Sequence, residues 1–274
     1  MHRRTSRFAR SKAALGFPIG LLTLAACTPT PTGPTMLWIT ASGLPAAPPG
    51  VPVTRGPYGL IGDIATALTG DPVAPLPGEP GDILVPGEKD TLCELVSRYG
   101  LETAAFVTDD GLREEFGFLQ GVLHSSDLPM LMAEASDGPL RGAISAAYGL
   151  LEQKIPRPME DGAFVWLHLD LELIPDPSVR PSFLEETVRH FEDLLARRPD
   201  SALVQVSFGP DGVYGGLVVR SPWFEASTTS VAVTELRGIV IEAMGHRLEG
   251  NTTIRVGEPR EILLPAASPN SESE

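Results

Sequence analysis

Aspartates follow three predicted strands of this 274-residue chain. The strands are the apolar runs Thr103–Val107, Ala163–Leu169 and Ala202–Val206. In open α/β sheets, ligands bind outside the carboxyl ends of the strands, and Ca²⁺ takes carboxylate oxygens as ligands. One hypothesis is therefore a weak Ca²⁺ site built from acids at these ends, Asp109, Asp110, Asp170, Glu172 and Asp176, with Asp211 as a further candidate ligand. The default interpretation is that acids in loops are solvated and that Asp211 shapes a turn, so no cofactor is predicted.

Other reactive side chains lack the partners that catalysis requires. His168 lies inside the apolar run Ala163–Leu169, which predicts a hydrogen-bonded core histidine. Cys93 has no histidine or second cysteine beside it, which predicts a buried structural thiol rather than a nucleophile. The segment His124–Asp127 contains the residue types of a hydrolase triad, but triads are built from separate elements. No catalytic residue is assigned.

Alternating helices and strands position these residues. Thr91 and Glu94 have the spacing of a capping box, and Gly100 is placed for a left-handed helix end. The short apolar runs Met36–Thr40 and Leu217–Val219 predict two more strands. An alternation of this kind predicts a three-layer α/β/α sandwich around a mostly parallel sheet.

Further helices and loops surround this frame. Helical periodicity predicts helices over residues 61–68, 140–151, 183–195 and 234–245. Ser182 and Glu185 have capping-box spacing at the start of the third. The Pro- and Gly-rich residues 71–90 are expected to form irregular surface structure. Residues 254–264 are expected to add an edge hairpin.

The amino terminus predicts export and lipid attachment. Five basic residues precede the mostly apolar run Ala13–Ala26, which is the layout of a secretory signal. The run ends in Leu-Ala-Ala-Cys27, which resembles a bacterial lipobox, in which the cysteine is lipidated. Residues 1–26 are therefore predicted to be a signal peptide and residues 27–35 a Thr/Pro tether. A threonine rather than an aspartate after Cys27 favours the outer membrane or cell surface over the inner membrane.

The net charge limits the partners that the protein can bind, and the sequence patterns set the limits of the predicted domain. No part of the chain resembles the clustered basic face of a nucleic-acid-binding protein, and the formal net charge is −14. This charge also disfavours binding to anionic lipid, so the lipid on the cysteine would hold the protein at the membrane. Residues 36–265 are expected to form one α/β domain, and residues 266–274 a disordered polar tail.

Five segments, in order, resemble the sulfatase family of the alkaline-phosphatase-like superfamily. The first is TLCELVSRYGLETAAFVTDDGLREEFGF, residues 91–118. The others are Phe164–Leu169, Phe183–Gly212, Leu217–Pro222 and Thr234–Gly245. The resemblance implies the alkaline-phosphatase-like form of the three-layer sandwich. It also implies sulfate ester hydrolysis, with a metal ion held by Asp, Asn and His and a nucleophile in a C/S-x-P-x-R motif.

The residues that this resemblance implies for catalysis are missing. A hard cation needs several oxygen ligands, and it activates the nucleophile and neutralises the ester. The first strand instead ends in Ser42, the motif carries Leu60 and Ile64 at its nucleophile and arginine, and the metal-binding turn carries Phe208 and Gly209. These five degenerate positions predict that the scaffold is kept and the metal site is lost.

Three functions follow from this resemblance. The first is a catalytically inactive sulfatase-like lipoprotein of the bacterial cell envelope that binds a partner protein or a glycan. The second is an active sulfuric or phosphoric ester hydrolase whose metal site has moved to Asp109, Asp110, Asp170 or Asp211. The third is a structural envelope lipoprotein that shares only the architecture of sulfatases.

Overall fold

A computed structural model describes most of the predicted α/β domain. The described residues are 35–46, 53–54, 58–75, 83–112, 114–134, 138–154, 162–197, 201–210, 212–220, 237–238 and 241. The chain divides into two compact units, residues 1–30 and 31–274, and all described residues belong to the second. The predictions for Cys27, Asp211, residues 254–264 and the 266–274 tail lie outside the described residues.

Helices and strands alternate through the described part of the chain, as the sequence predicts. The strands are β1 Thr35–Ser42, β2 Val53–Thr54, β3 Glu102–Val107, β4 His124–Ser126, β5 Ala163–Asp170, β6 Ser201–Gly209 and β7 Gly212–Arg220. The helices are α1 Gly59–Thr69, α2 Leu92–Arg98, α3 Leu128–Glu134, α4 Pro139–Lys154 and α5 Arg180–Leu195. Among the described residues, no helix has the length and apolar character needed to cross a membrane.

The strands form one sheet in the order β2-β7-β6-β1-β5-β3-β4. The five strands from β6 to β4 are parallel to one another, whereas β7 is antiparallel to β6 and β2 is antiparallel to β7. Strand β1 lies at the centre, and every one of its residues is buried. The prediction of a mostly parallel sheet is therefore confirmed. Its strands are continuously apolar because helices cover both faces of such a sheet.

Two apolar clusters, one on each face of the sheet, complete the three-layer sandwich. One cluster contains Ile64 and Leu68 of α1 with Leu92 and Val96 of α2. The other contains buried residues of α4 and α5, among them Leu151 and Phe191. Alternate side chains of β1 and β5 enter opposite clusters, because successive residues of a strand point to opposite faces. The α/β/α prediction is therefore confirmed.

The helix ends test the capping predictions. The Thr91–Glu94 capping box at α2 is present in full, and Gly100 has the expected positive φ of 81°. The Ser182–Glu185 box is wrong, because α5 already begins at Arg180 with Val179 as its N-cap. Pro181 explains the earlier start, since proline is favoured in the first turn, where its missing N–H costs nothing.

Two other predictions need correction or qualification. Residues 71–90 are irregular where they are described, but Val73, Ile83 and Val85 are buried core residues rather than surface. Of the helix expected over residues 234–245, only Arg237, Gly238 and Ile241 are described, and all three are helical. The sequence patterns do not predict the β4–α3 segment, because its strand has only three residues.

Candidate functional site at the strand ends

The central pair of strands, β1 and β5, becomes polar towards its carboxyl end. On the face that α1 and α2 cover, Met36 lies beside Phe164 and Trp38 beside Trp166. The next two pairs in the same register are Thr40 with His168 and Ser42 with Asp170. The last two pairs form a polar cluster at the edge where ligands bind in this class of fold.

His168 is the centre of this cluster and is fully buried. Its Nδ1 lies 2.8 Å from the Thr40 Oγ1, and its Nε2 lies 3.3 Å from the Ser42 Oγ. Burial lowers the pKa of His168 to about 3, because desolvation disfavours the charged form. The prediction of a hydrogen-bonded core histidine is therefore confirmed, and the imidazole is neutral at physiological pH.

The hydrogen bonds continue on both sides of His168. The Trp166 Nε1 donates to the Thr40 Oγ1 at 2.9 Å. At the other end, the Ser42 hydroxyl donates to the Asp170 Oδ1 over a long contact of 3.5 Å. Five side chains of β1 and β5 thus form one chain of contacts from the core to the carboxyl-end edge of the sheet: Trp166, Thr40, His168, Ser42 and Asp170.

Asp109 also belongs to this cluster, contrary to the expectation that it is solvated. Its side chain is 17% exposed, and its Oδ2 lies 3.8 Å from the His168 Nε2. Because His168 is neutral, this contact joins no pair of opposite charges, and it is too long for a hydrogen bond. Burial raises the pKa of Asp109, with a smaller contribution from the charge of Asp110. Asp110 itself is exposed, as expected.

Asp170 is the second carboxylate of the polar cluster. It accepts a hydrogen bond from the backbone N–H of Glu172 at 3.0 Å. Burial raises the pKa of Asp170, and the negative charges of Asp109 and Glu172 raise it further. The structure thus brings together two of the predicted aspartates, Asp109 and Asp170, from the ends of neighbouring strands.

Metal binding at this edge remains a prediction. Among the residues that the structure describes, no group of three His, Cys, Asp or Glu side chains could hold a metal ion. Asp109 and the Ser42 hydroxyl offer oxygen atoms near the His168 Nε2, and Asp170 offers a third beside Ser42. Ca²⁺ takes six to eight oxygens, so these three residues would need further ligands. Asp211 lies outside the described residues.

The degenerate positions divide into buried and exposed ones. Ile64 and Phe208 lie in the apolar core, with at most 1% of their surface exposed. Ser42 is equally buried, whereas Leu60, in the first turn of α1, is 37% exposed. Gly209 ends β6. Two of the five degenerate positions thus hold buried apolar side chains. Ile64 stands where the resemblance implies the arginine, and Phe208 where it implies a metal ligand.

Backbone contacts fix the loops that carry the cluster. Gly43 has a φ of 72°, and a Cβ there would lie 2.7 Å from the Glu172 Cγ. The Arg180 guanidinium donates to the carbonyl oxygens of Gly43 and Ile174 at 2.8 and 3.0 Å. The Thr108 hydroxyl donates to the His168 carbonyl oxygen at 3.1 Å and accepts the N–H of Asp170. Sequence reasoning missed these positioning groups, since they are far apart in the chain.

A separate cavity of about 430 Å³ opens between α4 and α5. Its lining is mostly apolar and includes Leu173 and Val179, which are 41% and 43% exposed. Arg141 and Glu186 contribute one charge of each sign. The cavity shares no lining residue with the polar cluster at the strand ends.

Cys93 behaves as predicted, and the two other histidines that the structure describes lie at the surface. Cys93 is buried, and burial raises the pKa of its thiol to about 12, which makes it unreactive. His124 lies on the exposed edge strand β4, with its Nε2 3.2 Å from the Glu102 carboxylate. His190 is exposed and stacks on Tyr148.

Comparison with known proteins identifies the fold. No family model matches the sequence, and the comparison with curated proteins gives no match. Among solved structures, the lipoteichoic acid synthase LtaP from Listeria monocytogenes matches with a TM-score of 0.53 and 12% identity, over 78% of this chain and 72% of its own. A protein in the alkaline phosphatase superfamily from Vibrio parahaemolyticus matches with a TM-score of 0.55 and 10% identity, over 78% and 67% of the two chains.

A sulfatase is also among the matches. BT1596, a 2-O GAG sulfatase, gives a TM-score of 0.52 at 11% identity, over 78% of this chain and 71% of its own. Likenesses at such low identity establish the fold and not the activity. The chain therefore has the sulfatase-like α/β fold of the alkaline phosphatase superfamily.

Proposed function

We propose that this protein is a catalytically inactive, sulfatase-like lipoprotein of the bacterial cell envelope. It binds a partner protein or a glycan and does not hydrolyse an ester. The lipid on Cys27 holds it at the outer membrane or the cell surface. The fold supports descent from ester hydrolases, and the residues at the strand ends support the loss of their chemistry.

The burial of Ile64 and Phe208 is the observation that carries this proposal. Both side chains lie in the core, at the positions where the resemblance implies a catalytic arginine and a metal ligand. A divalent cation and a charged ester need oxygen ligands and cationic groups, which branched alkyl and phenyl side chains cannot supply. Restoring a ligand at either position would bury an unpaired charge, which is costly in an apolar cluster.

A second candidate is an ester hydrolase with a relocated site. The observation in its favour is the 3.3 Å contact between the Ser42 Oγ and the His168 Nε2, with Asp109 and Asp170 beside it. A serine hydroxyl near an imidazole is the arrangement of a nucleophile and its base. Ser42 is 1% exposed, however, so a substrate could reach its hydroxyl only if the neighbouring groups moved.

Metal content and turnover separate the two candidates. The full-length chain, purified in detergent, is tested for bound divalent metal by mass spectrometry and for hydrolysis of aryl sulfate and aryl phosphate esters. The expected result is no stoichiometric metal and no turnover above the level of the Asp109→Ala and Asp170→Ala variants. Turnover that these variants lose, while Asp176→Ala keeps it, would establish the relocated hydrolase instead.

The lipid anchor is tested separately in a bacterial host. Labelling with a palmitate analogue and membrane fractionation compare the wild type with Cys27→Ser. The expected result is a labelled, membrane-bound wild type and an unlabelled variant released from the membrane. Equal release of both proteins would remove the anchor from the proposal without affecting the argument about the strand ends.

A further inference from the structure

The chain of contacts through His168 has a donor at one end and an acceptor at the other. An indole N–H can only donate, so the Trp166 Nε1 gives its hydrogen to the Thr40 Oγ1. An ionised carboxylate can only accept, so Asp170 takes the Ser42 hydrogen. Thr40, His168 and Ser42, between these ends, can each both donate and accept.

These two ends fix every hydrogen between them. Thr40 accepts from Trp166, and its own hydroxyl hydrogen has one further partner, the His168 Nδ1. Nδ1 is then an acceptor, and a neutral imidazole with an accepting Nδ1 carries its proton on Nε2. The Nε2–H points to the Ser42 Oγ, whose own hydrogen goes on to Asp170.

We propose that the hydrogen bond of the Ser42–His168 pair runs in the reverse sense to that of a nucleophile and its base. The Trp166 indole at one end and the Asp170 carboxylate at the other hold it that way. In a working pair, the serine hydroxyl donates to a lone pair on Nε2, which then removes the proton. Here Nε2 carries a hydrogen and Ser42 is its acceptor. The imidazole therefore cannot take the serine proton, although the two atoms lie at a suitable distance.

The opposite arrangement would leave a buried hydroxyl without an acceptor. If His168 carried its proton on Nδ1, Thr40 would have to accept from both Trp166 and His168. Its own hydrogen would then have no acceptor among its contacts in the structure, since those contacts are Trp166 and His168. The Asp109 Oδ2, 3.8 Å from Nε2, adds a second negative charge that favours the hydrogen on Nε2.

This inference rests on the proposed function and deepens it, because it explains why a serine and a histidine so close together do not act as a nucleophile and its base. Its test nevertheless measures a tautomer and not turnover. A reversed pair without turnover supports both statements. If Ser42 donates to His168 and there is no turnover, only the proposed hydrogen-bond direction is overturned. If His168 donates to Ser42 and there is turnover, only the proposed lack of activity is overturned.

The experiment is a side-chain ¹H–¹⁵N correlation spectrum of the full-length, ¹⁵N-labelled protein at pH 7. The His168 signals are assigned as those that disappear in His168→Gln. The expected spectrum shows a protonated Nε2 and an unprotonated Nδ1 in a single tautomer. A proton on Nδ1 in the wild type would overturn the proposal.

The role of Asp170 is tested with Asp170→Asn and the matched control Asp176→Asn. The amide that Asp170→Asn introduces can donate to the Ser42 Oγ, which frees the Ser42 hydrogen for Nε2. Because Trp166 still favours the proton on Nε2, the expected result is a minor second population with the proton on Nδ1. Asp176 is exposed and caps the turn at residues 177–179, so its variant should keep the wild-type tautomer. An unchanged tautomer in Asp170→Asn, or in Asp170→Ala if the first variant fails to fold, would remove Asp170 from the proposal.

Discussion

The paired strands β1 and β5 have an inner half and an outer half that differ in chemistry. Their side chains are equally buried as far as the Thr40–His168 pair. The inner half pairs Met36 with Phe164 and Trp38 with Trp166, and all four side chains lie in one apolar cluster. The outer half pairs Thr40 with His168 and Ser42 with Asp170. One face of the same two strands therefore contains both an apolar core and a buried polar cluster.

The difference shows that burial alone does not explain the outer half. A buried polar group must recover its lost hydration through hydrogen bonds, and an apolar side chain of similar volume would avoid this cost. Violations of local rules in an otherwise consistent sequence tend to mark functional sites. The outer half is therefore a candidate functional site, whereas the inner half is an ordinary apolar core.

The largest effect is expected in the inner half. Phe164→Ala should lower the free energy of unfolding by about 3–5 kcal/mol, because it removes a fully buried ring and leaves a cavity. Urea denaturation measures the change. Leu123→Ala is the control, since Leu123 is 68% exposed and its truncation should cost less than about 0.5 kcal/mol. Similar losses in both variants would contradict the assignment of Phe164 to the core.

The next effect is a pH dependence that the outer half alone produces. The pKa of His168 is about 3 in the folded chain and 6.5 when exposed. The unfolded state therefore takes up a proton first, and stability from this residue, present above pH 6.5, falls as pH falls towards 3. At about 1.4 kcal/mol per pH unit, the loss between pH 6.5 and pH 5 is about 2 kcal/mol.

Asp109 and Asp170 act in the opposite direction. Their raised pKa values mean that acidification protonates them first in the folded chain, which favours folding. The contribution of His168 is therefore measured as the difference between the wild type and His168→Gln in urea titrations from pH 7 to pH 4.5. The variant should lose the downward slope of the wild type. Parallel curves would show that His168 is not held neutral.

A smaller effect compares the two tryptophans at the boundary between the halves. The Trp166 Nε1 donates to Thr40, whereas the Trp38 Nε1 has no hydrogen-bond partner among the described residues. Both Phe substitutions lose similar packing, but only Trp166→Phe also loses a hydrogen bond. Trp166→Phe should therefore destabilise the protein by about 1 kcal/mol more than Trp38→Phe. Equal losses of stability in thermal unfolding would contradict a stabilising hydrogen bond between Trp166 and Thr40.

The smallest effect should have the opposite sign. The raised pKa of Asp170 means that its charged form is disfavoured, first by burial and then by Asp109 and Glu172. Asp170→Asn should therefore stabilise the protein at pH 7, by up to about 0.5 kcal/mol after solvent screening. Asp176→Asn should instead destabilise it slightly, because hydrogen bonds from Ser178 lower the pKa of Asp176. Thermal melts at pH 7 check both signs.

Local patterns in the sequence predict most of the fold. The capping box at Thr91, the glycine end at Gly100 and the apolar strand runs depend on residues within a few positions of each other, and all are confirmed. The Ser182 box failed because Pro181 offered an earlier helix start. Local patterns do not predict the burial of Ile83 and Val85, because it depends on packing from distant helices.

The site could be predicted only in part. The rule about strand ends placed Asp109 and Asp170 at one edge, and the apolar run of β5 placed His168 in the core. The hydrogen bonds that join Thr40 and Ser42 to His168 span 128 and 126 positions in the chain. No single-sequence pattern reports a contact of that range, so the relation of Ser42 to His168 and the role of Arg180 appear only in three dimensions.

The clamp of Arg180 on Gly43 has an evolutionary consequence. The loop after β1 takes its direction from a glycine that a side chain would strain and from an arginine that holds the glycine carbonyl oxygen. Neither depends on what stands at Ala41 or Ser42. A lineage with this clamp can exchange residues at the end of its central strand while the backbone keeps its path. Substitutions at those two buried positions therefore affect folding through packing and hydrogen bonding, and not through the path of the loop.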